Sequence, residues 1–231
     1  MGVSTLDSFA DLLDQLGGIS PKRVRLNPPP GRATEKDVVR IQQNEGRLYE
    51  LVDSTLVEKV GGYPEGYVAG NILVLLRLFV VPRDLGLVNG TDGMLRLMRR
   101  LIRIPDVSFV SWRQLPSHEI PDEPVPNLYP ELAVEVISTA NTKAEMRRKL
   151  REYFRAGARL VWMVYPKTRT VVVCAAPNQF AEFTEADTLD GGDVLPGLAI
   201  PVSRIFEMMP RPAKVKPSPN GGPKKPRPRK K

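Results

Sequence analysis

The 231-residue chain contains one cysteine and one histidine, and these two shortages exclude much of the metal and nucleophile chemistry that a sequence can announce. A lone thiol, Cys174, can form neither an intrachain disulfide nor a multi-cysteine zinc site. A lone imidazole, His118, excludes the paired-histidine metal motifs. Long hydrophobic runs are missing as well. The greasiest stretch, Ile72 to Val81, is ten residues long and carries Arg77, too short and too charged to span a bilayer. Met1 to Leu16 has no basic region followed by an apolar run, so the expectation is a cytoplasmic protein with no membrane partner. No Gly-x-x-x-x-Gly-Lys phosphate loop, Gly-x-Gly-x-x-Gly fingerprint or nucleophile elbow is present.

What is present is an ordinary globular composition, 42% hydrophobic and 26% charged, with its excess positive charge in one place. The formal net charge is +8. Nine of the 34 Lys and Arg residues, and no acid, lie between Pro210 and Lys231, which leaves 25 basic residues against 26 acidic ones in the body. That segment also carries seven of the 23 prolines and too little apolar surface to offset the entropy of ordering. It reads either as a disordered basic arm for polyanions or as a solubilising end. The division is residues 1–33 as an N-terminal helix with a proline-rich connection, 34–209 as the folded domain, and 210–231 as the tail.

Within the body, Leu6, Phe9, Leu13 and Leu16 fall at helical spacing before Gly17 and Gly18. Thr34 and Asp37 mark a capped second helix. Alternation from Arg47 to Val60 predicts a hairpin, Glu65 to Val81 a buried helix ended by Pro82, and Gly86 to Val110 two or three strands. Leu132 to Ile137 reads as a strand covered on both faces, and Asn141 or Thr142 caps a charged helix running to about Ala156. A second hairpin is expected over Arg159 to Ala175. These elements predict an α/β protein with a mixed sheet flanked by helices.

Two acids stand out. Glu135 interrupts the apolar run Glu131-Leu-Ala-Val-Glu-Val-Ile137, and a buried carboxylate requires a cation, a proton or strong donors. It is a site residue or the partner of an arginine at an exposed strand end. Asp106 follows Pro105 at a strand entry, where a turn aspartate is the alternative. Two such carboxylates can hold a hard divalent cation that keeps waters for a phosphate. The helix that follows supplies Lys143, Arg147, Arg148 and Lys149, the last of these either beside the buried stripe or in an exposed pair with Glu145. Glu50, on the first hairpin, reads by itself as a surface glutamate.

Together with Arg47-Leu-Tyr-Glu-Leu-Val-Asp53, Ile104-Pro-Asp-Val-Ser-Phe-Val110, Arg151-Glu-Tyr-Phe154, Arg159-Leu-Val-Trp162 and Asp193-Val-Leu-Pro-Gly197, these segments resemble the PD-(D/E)XK nuclease superfamily, and within it the Uma-two family of restriction-endonuclease-like proteins. The resemblance spans about Leu16 to Met208 and lies in the order and spacing of the segments. It implies a restriction-endonuclease-like fold and a metal-dependent endonuclease acting on nucleic acid, DNA before RNA. Asp106 and Glu135 are then ligands to magnesium or manganese, with a backbone carbonyl near Val136 and with Glu50 as a further acid. Lys143, Arg147 and Arg148, and the arginines at 96, 99, 100 and 103, are expected along the nucleic-acid backbone. The superfamily lysine is missing two residues beyond Glu135, where Ile137 stands, so its role is carried to Lys149. Ser54 replaces a turn glycine, and Tyr165 precedes Pro166 where an aspartate is usual. The missing lysine and the near-neutral body leave a second reading open, a catalytically inactive module that binds nucleic acid or a protein. A homodimer is compatible with either.

Overall fold

The computed structural model describes residues 8–209; the tail expectation and the first residues of the N-terminal helix lie outside the described residues. Its helices are α1 (Phe9–Gln15), α2 (Glu35–Glu45), α3 (Tyr63–Val80), α4 (Lys143–Ala156) and α5 (Val202–Ile205). Its strands begin with β1 (Val24–Arg25), β2 (Tyr49–Val52), β3 (Thr55–Glu58), β4 (Gly86–Asn89), β5 (Leu95–Met98), β6 (Leu101–Arg103) and β7 (Val107–Ser111). They continue with β8 (Leu132–Val136), β9 (Leu160–Tyr165), β10 (Thr170–Ala176), β11 (Gln179–Phe183), β12 (Thr188–Gly191) and β13 (Leu195–Pro201).

A six-stranded mixed sheet in the order β11-β10-β9-β8-β7-β4 forms the centre, and a five-stranded sheet β1-β3-β2-β6-β5 adjoins it. All its pairs are antiparallel except β8 with β9, which run parallel. Parallel neighbours need a crossover, and α4 supplies it. The region between Gly86 and Val110 holds four short strands rather than the two or three expected, because a turn with Arg100 at φ 64° separates β5 from β6. The β2–β3 hairpin turns at Asp53 and Ser54, both at positive φ, the geometry of a two-residue primed turn. Ser54 takes the strained position that a glycine would take freely.

Period-two alternation sets the two faces of the central sheet. Leu132, Val134 and Val136 of β8, with Trp162 and Val164 of β9, face the core that contains Ile72, Leu76 and Val80 of α3. Ala133, Val161 and Met163 face the opposite core, with Met146, Leu150 and Tyr153 of α4. Glu135 therefore points toward α4. Leu12, Leu16 and Ile19 join this second core, so the segment before residue 34 packs on the same helix.

Helix α3 and the turn after it, Tyr63–Arg83, are long and apolar enough to cross a membrane by length and composition. The ten-residue window starting at Ile72 understates this helix. Val68, Ile72, Leu76 and Val80 lie in the core, while Val74, Leu78 and Val81 are exposed.

The start of α4 is built tightly. Thr142 caps it and Glu145 closes a capping box, which satisfies orphan N–H groups of the first turn. Gly17, at φ 94°, comes so close that a Cβ there would lie 2.5 Å from the Glu145 nitrogen. Thr142 Oγ1 also donates to the Gly17 carbonyl. Gly17→Ala is expected to destabilise the protein by about 2 kcal/mol or more, through clash and backbone strain. Urea unfolding measures it; an unchanged midpoint would show that α1 docks loosely on α4.

Candidate active site

Three strands and one helix aim charged groups at a single place. In β2, Tyr49 and Leu51 face the α2 side whereas Val52 faces α4, so alternation turns Glu50 toward α4. The same rule turns Arg103 of β6 that way, since Ile102 lies on the α2 side and Leu101 on the other. On α4, Glu145, Lys149 and Tyr153 recur every four residues and are all buried.

The result is a chain of alternating charge inside the protein. Glu50 is fully buried. Its Oε2 accepts from Arg103 Nη1 at 2.6 Å, and its Oε1 lies 3.0 Å from Lys149 Nζ. Lys149 Nζ donates to both oxygens of Glu135 at 3.1 Å, and Tyr153 Oη donates to Glu135 Oε1 at 2.6 Å. Arg103 also donates to Glu152 of α4, and Glu152 accepts from Arg148. Burial would push the Glu50 carboxyl up, but Lys149 and Arg103 outweigh it and hold the group down at about 2. Glu135 shifts the other way: burial raises its carboxyl and the Asp106 and Glu50 charges add to this, against Lys149. For Lys149, burial is outweighed by Glu135 and Glu50, which keep the ammonium charged.

Asp106 lies at the entry to β7. Its backbone N–H bonds the Val134 carbonyl, and its Oδ2 accepts the Val136 N–H at 2.7 Å. The residue is thereby pinned beside Glu135, and both carboxylates line one small cleft together with Lys59, Lys149, Asn141 and Arg23, which is itself paired with Glu145. The structure thus gathers Glu50, Glu135 and Lys149 into one ion-paired cluster and sets Asp106 at its open side.

The arginines expected along a nucleic-acid backbone are placed differently. Arg103 is buried in ion pairs. Arg96 faces Glu35 and Glu123. Arg100 donates to Ser54 and to the Asp53 carbonyl. Arg148 is held by Asp53, Glu152 and the Gln15 carbonyl. Arg99, Lys143 and Arg147 are exposed, but Arg147 stands two residues from Lys149, about 200° around the helix, and so faces away from the cleft.

Sequence reasoning missed Lys59, which faces Asp106 at 3.0 Å, and the roles of Arg103 and Glu152. The helical spacing of Tyr153 with Lys149 was the one available signal for Tyr153.

No group of three or more His, Cys, Asp or Glu side chains among the described residues forms a ready-made metal cage. The pair Asp106 and Glu135 nevertheless offers hard oxygen donors in one cleft. That suits magnesium or manganese, which are held by one or two carboxylates and complete their shell with water and phosphate.

The central mixed sheet, the parallel β8–β9 step across α4 and the strand-borne acids make this a restriction-endonuclease-like protein. The family model "Uma2: Putative restriction endonuclease" matches residues 35–203, and the chain belongs to the Uma2 family. Among solved structures it is similar to "a putative nuclease belonging to DUF820 from Anabaena variabilis ATCC 29413". That likeness has a TM-score of 0.61 at 14% identity and covers 69% of this chain and 89% of the other, so it speaks for the fold. The search of curated proteins gave no match.

Removing one member of a buried ion pair strands its partner, at a cost of about 3–5 kcal/mol. Glu50→Gln is therefore expected to destabilise by about that amount in denaturant melts. Because the folded Glu50 carboxyl lies below its ordinary value of 4.5, the stability it contributes is present above that pH and lost as pH falls toward about 2. The acid limb of the stability curve should flatten in the variant; an equally steep limb would show that other acids govern it.

Proposed function

We propose that this Uma2 protein is a nuclease that hydrolyses phosphodiester bonds of nucleic acid, with a divalent cation held by Asp106 and Glu135. One observation carries the reading: a carboxylate on β8 and one at the entry to the adjacent β7 line one cleft, and a buried lysine from the following helix donates to the first. The family description, a restriction endonuclease, favours DNA as the substrate.

Asp106 and Glu135 would hold a magnesium or manganese ion there, and the chemistry it would supply is Lewis acidity toward phosphate and a more acidic water. The chain's own groups do the rest. The Val136 N–H holds Asp106 Oδ2 and leaves Oδ1 toward the cleft. Lys149, tied to Glu50 at its other side, fixes the orientation of Glu135, and Tyr153 holds one Glu135 oxygen from below. Glu50 does not reach the cleft; it is a positioning residue that keeps Lys149 charged. The Lys149 ammonium is the nearest fixed positive charge to Glu135, and where water is excluded such a charge favours the extra negative charge that develops on phosphate in the transition state. Hydrolysis adds water across one P–O bond, leaving a phosphomonoester and an alcohol.

Glu135→Gln and Asp106→Asn are each expected to abolish cleavage of linear or structured DNA in magnesium or manganese, since each removes a charged ligand while keeping the shape. Lys149→Met, with folding confirmed by circular dichroism, should lower the rate by roughly one to three orders of magnitude. A chelator should stop the wild type, and added metal should restore it. Identical trace cleavage by wild type and Glu135→Gln would instead support the inactive binding module.

A further inference from the structure

Asp106 divides its oxygens between two partners. Oδ2 takes the Val136 N–H, whereas Oδ1 lies 3.0 Å from the Lys59 ammonium. Lys59 follows β3, and its head group is enclosed rather than solvated: it donates to the carbonyls of Ile104 at 2.7 Å, Thr91 at 3.0 Å and Pro105 at 3.3 Å. Three N–H donors thus meet four oxygens, and the side chain is only 11% exposed. Three carbonyls and a carboxylate oxygen are the donors that a hard cation seeks. In this chain an ammonium fills that shell, in the same cleft as Asp106, Glu135 and Lys149.

We infer that Lys59 is a resident cation of the site, which takes the outward oxygen of Asp106 and so weakens the binding of a divalent ion there. The inference rests on the reading of Asp106 and Glu135 as metal ligands. A second cation on the same carboxylate must share or displace the first, and like charges a few ångströms apart in a half-buried cleft repel strongly. Glu135 is engaged in the same way by Lys149, so each proposed ligand already carries an ammonium. Such a site binds metal weakly on its own. It gains the missing ligands when a phosphate arrives to complete the shell, which couples metal loading to substrate. A lysine serving only to pin the loop would affect stability and leave metal affinity alone.

The test is manganese binding by the full chain, without nucleic acid, followed by calorimetry and electron paramagnetic resonance. Lys59→Gln keeps two donors for the carbonyls and loses the charge; its Kd for manganese should tighten about tenfold or more. Lys59→Arg, which keeps the charge, and Lys167→Gln, which removes one charge from an exposed turn, should both stay near the wild-type value. An unchanged or weaker Kd in Lys59→Gln overturns this inference alone. Absence of manganese binding in every variant overturns it together with the metal reading. Should Lys59→Gln not fold, magnesium titration of the wild type decides by the 15N signal of the Lys59 ammonium. A signal that moves as magnesium binds supports the inference, and one that stays fixed while calorimetry records binding overturns it.

Discussion

The run of charges from Glu152 through Arg103, Glu50 and Lys149 to Glu135 is the interaction on which the rest of the structure depends. It joins β6, β2 and β8 to α4 through side chains shut away from water. Desolvating so many ions is costly, and each must be neutralised by its neighbour for the arrangement to persist. Every member here has at least one opposite charge within hydrogen-bond reach, and Tyr153 and the Ile104 N–H add donors. This fixes where α4 sits over the sheet, and therefore where Lys149 lies relative to Glu135. Stability and the geometry of the site are one property in this protein.

Much of that frame is legible in the sequence. The α4 cap at Thr142, the Gly157 that ends the helix and the β8 run preceding it are strong local signals, and they place Glu135 and Lys149 on facing elements. Glu50 is different. Strand alternation cannot distinguish a buried acid from a solvated one, and only the family resemblance raised it above a surface residue. Arg103 hides in a stretch of arginines that looks solvated; its burial follows from pairing between strands about fifty residues apart. Lys59 leaves no local trace, because its oxygen shell comes from Thr91 and from Ile104 to Asp106. The strands β11 to β13 were not foreseen. β11 is mostly exposed and short of the alternation that announces a half-buried strand.

The distribution of cations bears on how nucleic acid would meet the cleft. Most of the arginines expected to follow the backbone are engaged with acids or carbonyls, and the exposed Arg147 lies on the far side of α4 from Lys149. Charge near the proposed ligands comes instead from three enclosed cations of the described residues, Lys59, Lys149 and the Glu145-paired Arg23. Among the described residues, enclosed positive charge is thus placed beside the proposed ligands more than along an extended track. This differs from a protein whose affinity derives from a broad basic surface.

The central claim is that Asp106 and Glu135, held by this buried network, form one divalent-cation site. A crystal soaked in manganese and measured at the manganese absorption edge tests it most directly. The account predicts one anomalous peak in the cleft within bonding distance of an oxygen from each of Asp106 and Glu135, with Lys149 still bonded to Glu50. A peak elsewhere on the chain, or a cleft without one at saturating manganese, would contradict it.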